Sequence, residues 1–360
     1  MNWSESLRKI GSSPLTYCPD LPRIAQRWEA WWRCEADRPL LRVGLPADKT
    51  IRWDKGFDLF DRPAEWVALR RRQVEKTRRF GEELPSARVD IGPVAVAAFL
   101  GATVHLGHKE QTTWQDPFIE DWARPPSFRI DARNEWLRRV VALHAALAED
   151  AAGDYLVCFP DMSGGIDGLS NMRGPDRLCM DLYEHREAVK SAAMEVAEAT
   201  STAFDAFCEA VLSRGAGTTQ WLGCWSDSPY VVATCDFNAL IGEKDFIEVC
   251  MPSLRHQARR AGRCIFHLDG PSAARHAETL ARDEAITAIQ YVPGAGTPSA
   301  VAKLPMLRKV QEAGKPLILA CLSAEVEKLC GELDPRGLAL MPWDVDSTKK
   351  ADQLMRIVGA

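Results

Sequence analysis

No two cysteines of this chain stand in C-x-x-C spacing, and the eleven present form an odd, scattered set. That excludes a disulfide framework or a thiolate-only zinc knuckle as the organising principle, and most of the thiols read as small buried apolar groups. Long apolar runs are missing too. The longest, residues 94–100, falls far short of the roughly 20 residues a membrane-spanning helix needs. The opening residues, Met1-Asn2-Trp3-Ser4-Glu5-Ser6-Leu7-Arg8, lack the apolar core of a signal peptide, so a cytoplasmic location is expected. No basic tract is long enough for a nucleic-acid groove. Arg70-Arg71-Arg72 and Arg78-Arg79, with Glu75 between them, read as the solvated face of a helix. Nucleic acid and membrane are therefore not expected partners. Repeats, low-complexity segments and flexible linkers are likewise absent, which argues for one compact unit.

What is present is a chain of 360 residues and 40.0 kDa, 46% hydrophobic, with net charge −5. That is enough apolar material for a sizeable α/β core. The second half alternates. A helical pattern over 187–214 stops at Gly215-Ala216-Gly217, a strand-like stretch over 219–225 leads to a polar turn, and a helix over 246–261 follows. Then come a strand around His267, helix 272–282, strand 288–292, helix 301–313 and strand 316–321. A helix opening at Ser323 as N-cap with Glu325 in its first turn, strand 337–341 and a last short helix complete the chain. Arg88-Val89-Asp90-Ile91 and residues 155–161 supply earlier strands. Such alternation predicts a parallel sheet, and eight units would close a (β/α)8 TIM barrel. Residues 81–360 would form it, with 1–80, rich in Trp and Arg, as an amino-terminal helical extension packed upon it.

The densest chemistry lies in Arg263-Cys264-Ile265-Phe266-His267-Leu268-Asp269-Gly270-Pro271. Two-residue alternation on a strand puts His267 and Asp269 on one side, at the end where β/α enzymes carry their active residues. Both are candidate catalytic groups. Asp161, Trp225 and Asp227 end or follow apparent strands, and Trp114 sits in a loop of a kind that often walls a pocket. Gln290 and Tyr291 are consecutive, so only one faces the centre, and Gln290 is the better candidate. Arg173 has the planar fork that suits a carboxylate. All of these, with Trp343, are candidate substrate contacts.

Several motifs together carry a family resemblance. Residues 163–174, with Asp167, Arg173 and Gly174, run into Leu178-Cys179-Met180-Asp181-Leu182-Tyr183. Residues 241–252 form an F-x-x-x-x-x-P helix segment, and 267–271, 290–296 and 113–117 read H-L-D-G-P, Q-Y-V-P-G-A-G and T-W-Q-D-P. In these the chain resembles the uroporphyrinogen decarboxylase superfamily, and most closely a branch similar to the methylcobamide methyltransferases.

The resemblance implies a (β/α)8 barrel with one of two chemistries: cofactor-free decarboxylation, or transfer of a methyl group from a corrinoid protein to a zinc-activated thiol. The decarboxylase signature R-Q-A-G-R is absent, and the nearest arginines are Arg33, Arg38 and Arg42. Asp90, however, falls where the decarboxylases place their catalytic aspartate. The methyltransferases' H-x-C reads His267-Leu268-Asp269 here, and their second cysteine position reads Pro342-Trp343-Asp344. The implied metal set is His267, Asp269 and Asp344, with Cys321 able to add sulfur. Zinc is the first expectation, and the oxygen ligands shift preference towards harder ions.

The leading expectation is a metal-assisted one-carbon transferase acting on a small polar acceptor. The corrinoid would come from a partner protein, since no D-x-H-x-x-G segment is present. A lyase using Asp90 and His267 on a small carboxylic acid, and a small-ligand-binding barrel without chemistry, stay open beside it. The resemblance also implies a homodimer.

Overall fold

The computed structural model describes residues 2–294, 296 and 299–360, so Met1 and Ala295, the latter inside the 290–296 motif, lie outside the described residues. In chain order the strands are β1 (Leu40–Pro46), β2 (Thr77–Gly81), β3 (Ser86–Arg88), β4 (Val104–Gly107), β5 (Thr112–Gln115), β6 (Leu156–Cys158), β7 (Thr218–Thr219), β8 (Tyr230–Thr234), β9 (Arg263–Asp269), β10 (Ala288–Val292), β11 (Leu317–Cys321) and β12 (Leu338–Pro342). One seven-stranded sheet runs β2-β1-β12-β11-β10-β9-β8. Every pair in it is parallel except β1 with β2. A second, three-stranded parallel sheet runs β3-β6-β7, and β4 with β5 forms a separate antiparallel hairpin.

Continuous apolar runs such as Leu317-Ile318-Leu319 are what strands covered on both faces require, and these residues are fully buried. The helix Leu304–Glu312 packs on β11, and helices Arg186–Leu212 and Met251–Ala261 pack on one another, the second of them also on β8. The expected helix over 246–261 starts as a π-helical turn, Phe246–Cys250, before Met251–Ala261. Pro252 has no N–H to return to the preceding turn, so the regular ladder is broken there. No helix among the described residues is long and apolar enough to cross a membrane.

Two expectations change. Residues 1–80 contain the helices Trp3–Gly11, Leu21–Trp32 and Pro63–Glu75, but also β1, which lies inside the large sheet between β12 and β2. The strand expected over 219–225 is only Thr218–Thr219. The chain then turns through Gly223, at φ +64°, and runs back, so that β8 begins with Tyr230 beside Arg263, the first residue of β9. Trp225 and Asp227 therefore lie by the amino ends of the strands. There Trp32 Nε1 donates to the Trp225 carbonyl (2.9 Å) and Arg263 donates to Ser226 Oγ (2.9 Å).

The tryptophans of the helix Leu21–Trp32 close this same end. Trp28 and Trp31 are fully buried, and Trp31 Nε1 donates to the carbonyl of Leu317 at the start of β11 (3.3 Å).

Candidate metal centre

The opposite, carboxyl ends of the strands carry the polar groups. Along β9, Phe266 and Leu268 are fully buried on one side while His267 and Asp269 project from the other. Parallel pairing sets Thr234 of β8 and Gln290 of β10 on either flank of His267. Two residues past Thr234 the chain reaches Asp236. One ligand atom from each of Asp236, His267 and Asp269 lies within 4.8 Å of the others, the one such group among the described residues.

The imidazole is oriented by its neighbours. Its Nδ1 hydrogen-bonds Gln290 Oε1, so Nδ1 carries the proton and donates. Nε2 lies 4.0 Å from Asp269 Oδ2. Trp221 packs edge-on against the ring at 5.0 Å between centroids. Gln290 is 2% exposed, and its buried amide oxygen takes the place that a carboxylate or a backbone carbonyl usually fills in fixing the tautomer of a metal-binding imidazole.

Carboxylates crowd the centre. Asp161, just past β6, is pushed up to about 6 by burial, with His267 and Arg88 opposing and Asp236 and Asp90 reinforcing the rise. Asp236 is raised by burial and by Asp269, against the pull of His267. Asp167, in the first turn of the helix Gly165–Arg173, is raised by burial and by Asp236. Its two oxygens accept the backbone N–H groups of Asp236 (2.8 Å) and Phe237 (3.1 Å), which fixes the loop that presents Asp236. Several carboxyls thus sit higher than usual because each meets another anion in a desolvated place, a situation that a cation relieves.

Other expected site residues fall elsewhere. Asp344 accepts from Ser323 N (2.6 Å), Ser323 Oγ (2.8 Å) and Lys350 Nζ (2.9 Å), which outweigh burial and hold its carboxyl low. The same contact turns the Ser323 side chain towards Asp344, and Glu325 caps the backbone N–H of Leu322 instead (2.8 Å). Cys321 is fully buried, and burial drives its thiol upward, the reverse of an activated thiolate. Neither Cys321 nor Asp344 joins the ligand group around His267.

Asp90 is bound by Arg88 (2.7 Å) and Lys55 (3.2 Å). Burial would raise it, but these cations and the Gly92 N–H hold it below the usual carboxylate range. That is the ionised partner of two bases rather than a proton donor. Arg173 uses its fork on Asp181 (2.6 and 2.9 Å) and the carbonyls of Ile119 and Glu120, so it has no free face for substrate. Tyr291 is buried on the side of β10 away from Gln290. Trp114 stacks on His105 in the β4–β5 hairpin, and Trp343 is 69% exposed beyond β12. Trp225 Nε1 donates to Asp227 Oδ1 (2.8 Å) at the amino end, away from His267.

Asp236 and Trp221 were not foreseen. The signal for Asp236 was available in Tyr230-Val231-Val232-Ala233-Thr234, a β-prone run ending in a polar residue; it was masked by the apolar stretch just before it.

No protein-family profile matches the chain, and no curated protein does. Among solved structures it is similar to a methyltransferase from Methanosarcina mazei. The TM-score is 0.59 at 12% identity, over 93% of this chain and 98% of that one. At that identity the likeness is one of fold.

Proposed function

We propose that the protein is a one-carbon transferase of the uroporphyrinogen-decarboxylase-like type, with a divalent ion held by Asp236, His267 and Asp269. The observation that carries this reading is the convergence of the three ligand atoms within 4.8 Å, on an imidazole whose other nitrogen is already committed to Gln290. The likeness to a methyltransferase fold supports methyl as the group moved. In the same reading the eight parallel strands β3 and β6 to β12 are those of a single (β/α)8 barrel, beside which residues 1–80 set β1 as well as helices. The eleven free thiols suit a reducing compartment such as the cytoplasm.

The donor set fits a divalent ion. One imidazole nitrogen and two carboxylates suit zinc, and also the harder manganese or iron(II), in place of the thiolate-rich set that the sequence resemblance implies. When bound, such an ion supplies Lewis acidity that lowers the pKa of an acceptor thiol or hydroxyl. The chain's own residues do the rest. Gln290 holds the imidazole tautomer, Asp167 anchors the loop of Asp236, and Trp221 shields one side of His267. Asp161, whose carboxyl interacts with His267 and Asp236, would accept the acceptor's proton. The corrinoid would be carried by a partner protein.

The test is to mix the zinc-loaded protein with methylated corrinoid and small thiols or alcohols, and to follow demethylation of the corrinoid by its absorbance. Metal-dependent demethylation that is lost in Asp269→Ala is expected. Loss of carboxylate from small acids without metal, and no demethylation, would instead favour a lyase, for which the raised Asp161 is the supporting observation.

A further inference from the structure

Beside Asp236 a pocket of about 240 Å³ opens between the helix Gly165–Arg173 and the turn Asp236–Leu240. Its polar lining is Ser163, Asp167, Ser170, Asn171 and Asp236, and its apolar walls include Phe237 and Leu240. Among the described residues no lysine, arginine or histidine lines it. The Ser170 hydroxyl makes no hydrogen bond among the described residues. Among the described residues Asn171 donates only to the Pro93 carbonyl (3.2 Å), and nothing donates to its side-chain oxygen. Asp167 is buried and meets the backbone N–H groups of 236 and 237 but no cation. At about 30 Å³ per water-sized group, the space suits a ligand of roughly eight non-hydrogen atoms.

We propose that this pocket is a subsite for a small organic cation bearing a hydroxyl, adjoining the metal centre through Asp236. The inference rests on the metal-centre reading for its role as a substrate subsite, but not for binding itself. Asp167 has no lysine or arginine beside it among the described residues, and the carboxylates Asp161, Asp167, Asp236 and Asp269 together outnumber the charge of one divalent ion, so the pocket attracts a cation and repels an anion. The free serine hydroxyl and amide oxygen offer partners to a hydroxyl group. Phe237 and Leu240 receive the alkyl part, a mixture of apolar wall and few polar groups usual for small-ligand sites. A carboxylate or phosphate ligand would find no base here.

Calorimetric titration of the full chain, both zinc-loaded and chelator-treated, with choline, its neutral carbon isostere dimethylbutanol and the anion hydroxybutyrate tests this. Choline should bind at least about tenfold tighter than the isostere, with hydroxybutyrate weakest, in both forms of the protein. Ser170→Phe and, independently, Leu240→Trp should each weaken choline by about tenfold or more while zinc affinity stays unchanged. Choline binding that survives both substitutions, or that disappears in Asp269→Asn instead, would place the cation at the metal ligands and overturn the proposal. So would no choline binding, or tighter binding of the anion. Failure of zinc to bind while choline still does would sink the metal reading alone.

Discussion

The two ends of β9 use charged side chains in opposite ways. At its amino end Arg263 holds Glu29 through two hydrogen bonds (2.6 and 2.8 Å), lies 5.0 Å over the Trp32 ring and bonds Ser226, under a lid of tryptophans. At its carboxyl end His267 and Asp269 face Asp236 and Asp161, with no lysine or arginine paired to Asp236 or Asp269 among the described residues, and Asp269 is 43% exposed on its side chain. Charge matched by countercharge and sealed under aromatic rings stabilises. Charge left in excess at an open strand end is poised to bind. Matched and unmatched charge thus lie at opposite ends of one strand, six residues apart.

The comparison predicts that damage at the closed end costs folding and leaves the site intact. Trp31 is fully buried with rings of Trp28 and Trp32 at 5.2 and 5.0 Å, so Trp31→Ala should lose about 3–5 kcal/mol in urea unfolding. Its zinc affinity, measured on the folded fraction, should not move. A parallel loss of zinc binding would break the division between the ends.

Damage at the open end should do the converse. Gln290→Leu keeps the volume but removes the acceptor for His267 Nδ1, and competition with a chromophoric chelator should show about a 10- to 100-fold loss of zinc affinity. Unfolding free energy should change little by comparison. An unaltered affinity would mean that Gln290 fills space without orienting the ligand.

The smallest expected effect is a pH dependence of the metal-free protein. Burial raises Asp161 from 3.8 to about 6 on folding, so the native state binds the proton more tightly than the unfolded chain does. That contribution favours folding at low pH and is lost as pH climbs through about 6. Asp161→Asn should therefore stabilise the metal-free protein at neutral pH by on the order of 1–3 kcal/mol, and the gain should vanish below about pH 4. Thermal melts across this range, with chelator present, read the difference; a gain that persists at low pH would contradict the assigned cause.

What was legible in the sequence follows from which forces act locally. Strand 288–292 matches β10 to the residue, β11 and β12 lie within a residue of expectation, and β9 holds the strand expected around His267, because strands covered on both faces are written as continuous apolar runs between glycines and helices. The pairing of His267 with Asp269 was legible for the same reason, since two-residue periodicity needs no tertiary knowledge. Trp225 and Asp227 were misplaced because the apolar run 219–225 is not one strand: it turns at Gly223, after which Trp225 packs against Gly11 and Trp32 of the amino-terminal helices. Asp344 and Cys321 share the strand-end position of His267, yet a lysine, a serine and burial claim them, and no local pattern announces such partners. Arg173 was likewise claimed by Asp181 at a spacing of eight residues, through packing of consecutive helices. Asp236 reached the centre only through the register of β8 on β9, a non-local fact.

The central claim is that Asp236, His267 and Asp269 hold one divalent ion. Elemental analysis of protein purified without chelator, together with titration of chelator-treated protein by zinc, cobalt(II) and manganese(II), tests it on the wild type, His267→Ala and Asp236→Ala. The account predicts about one ion per wild-type chain and loss of tight binding in both variants. A wild type that carries no metal and takes up none, or ion content unchanged in both variants, would contradict it.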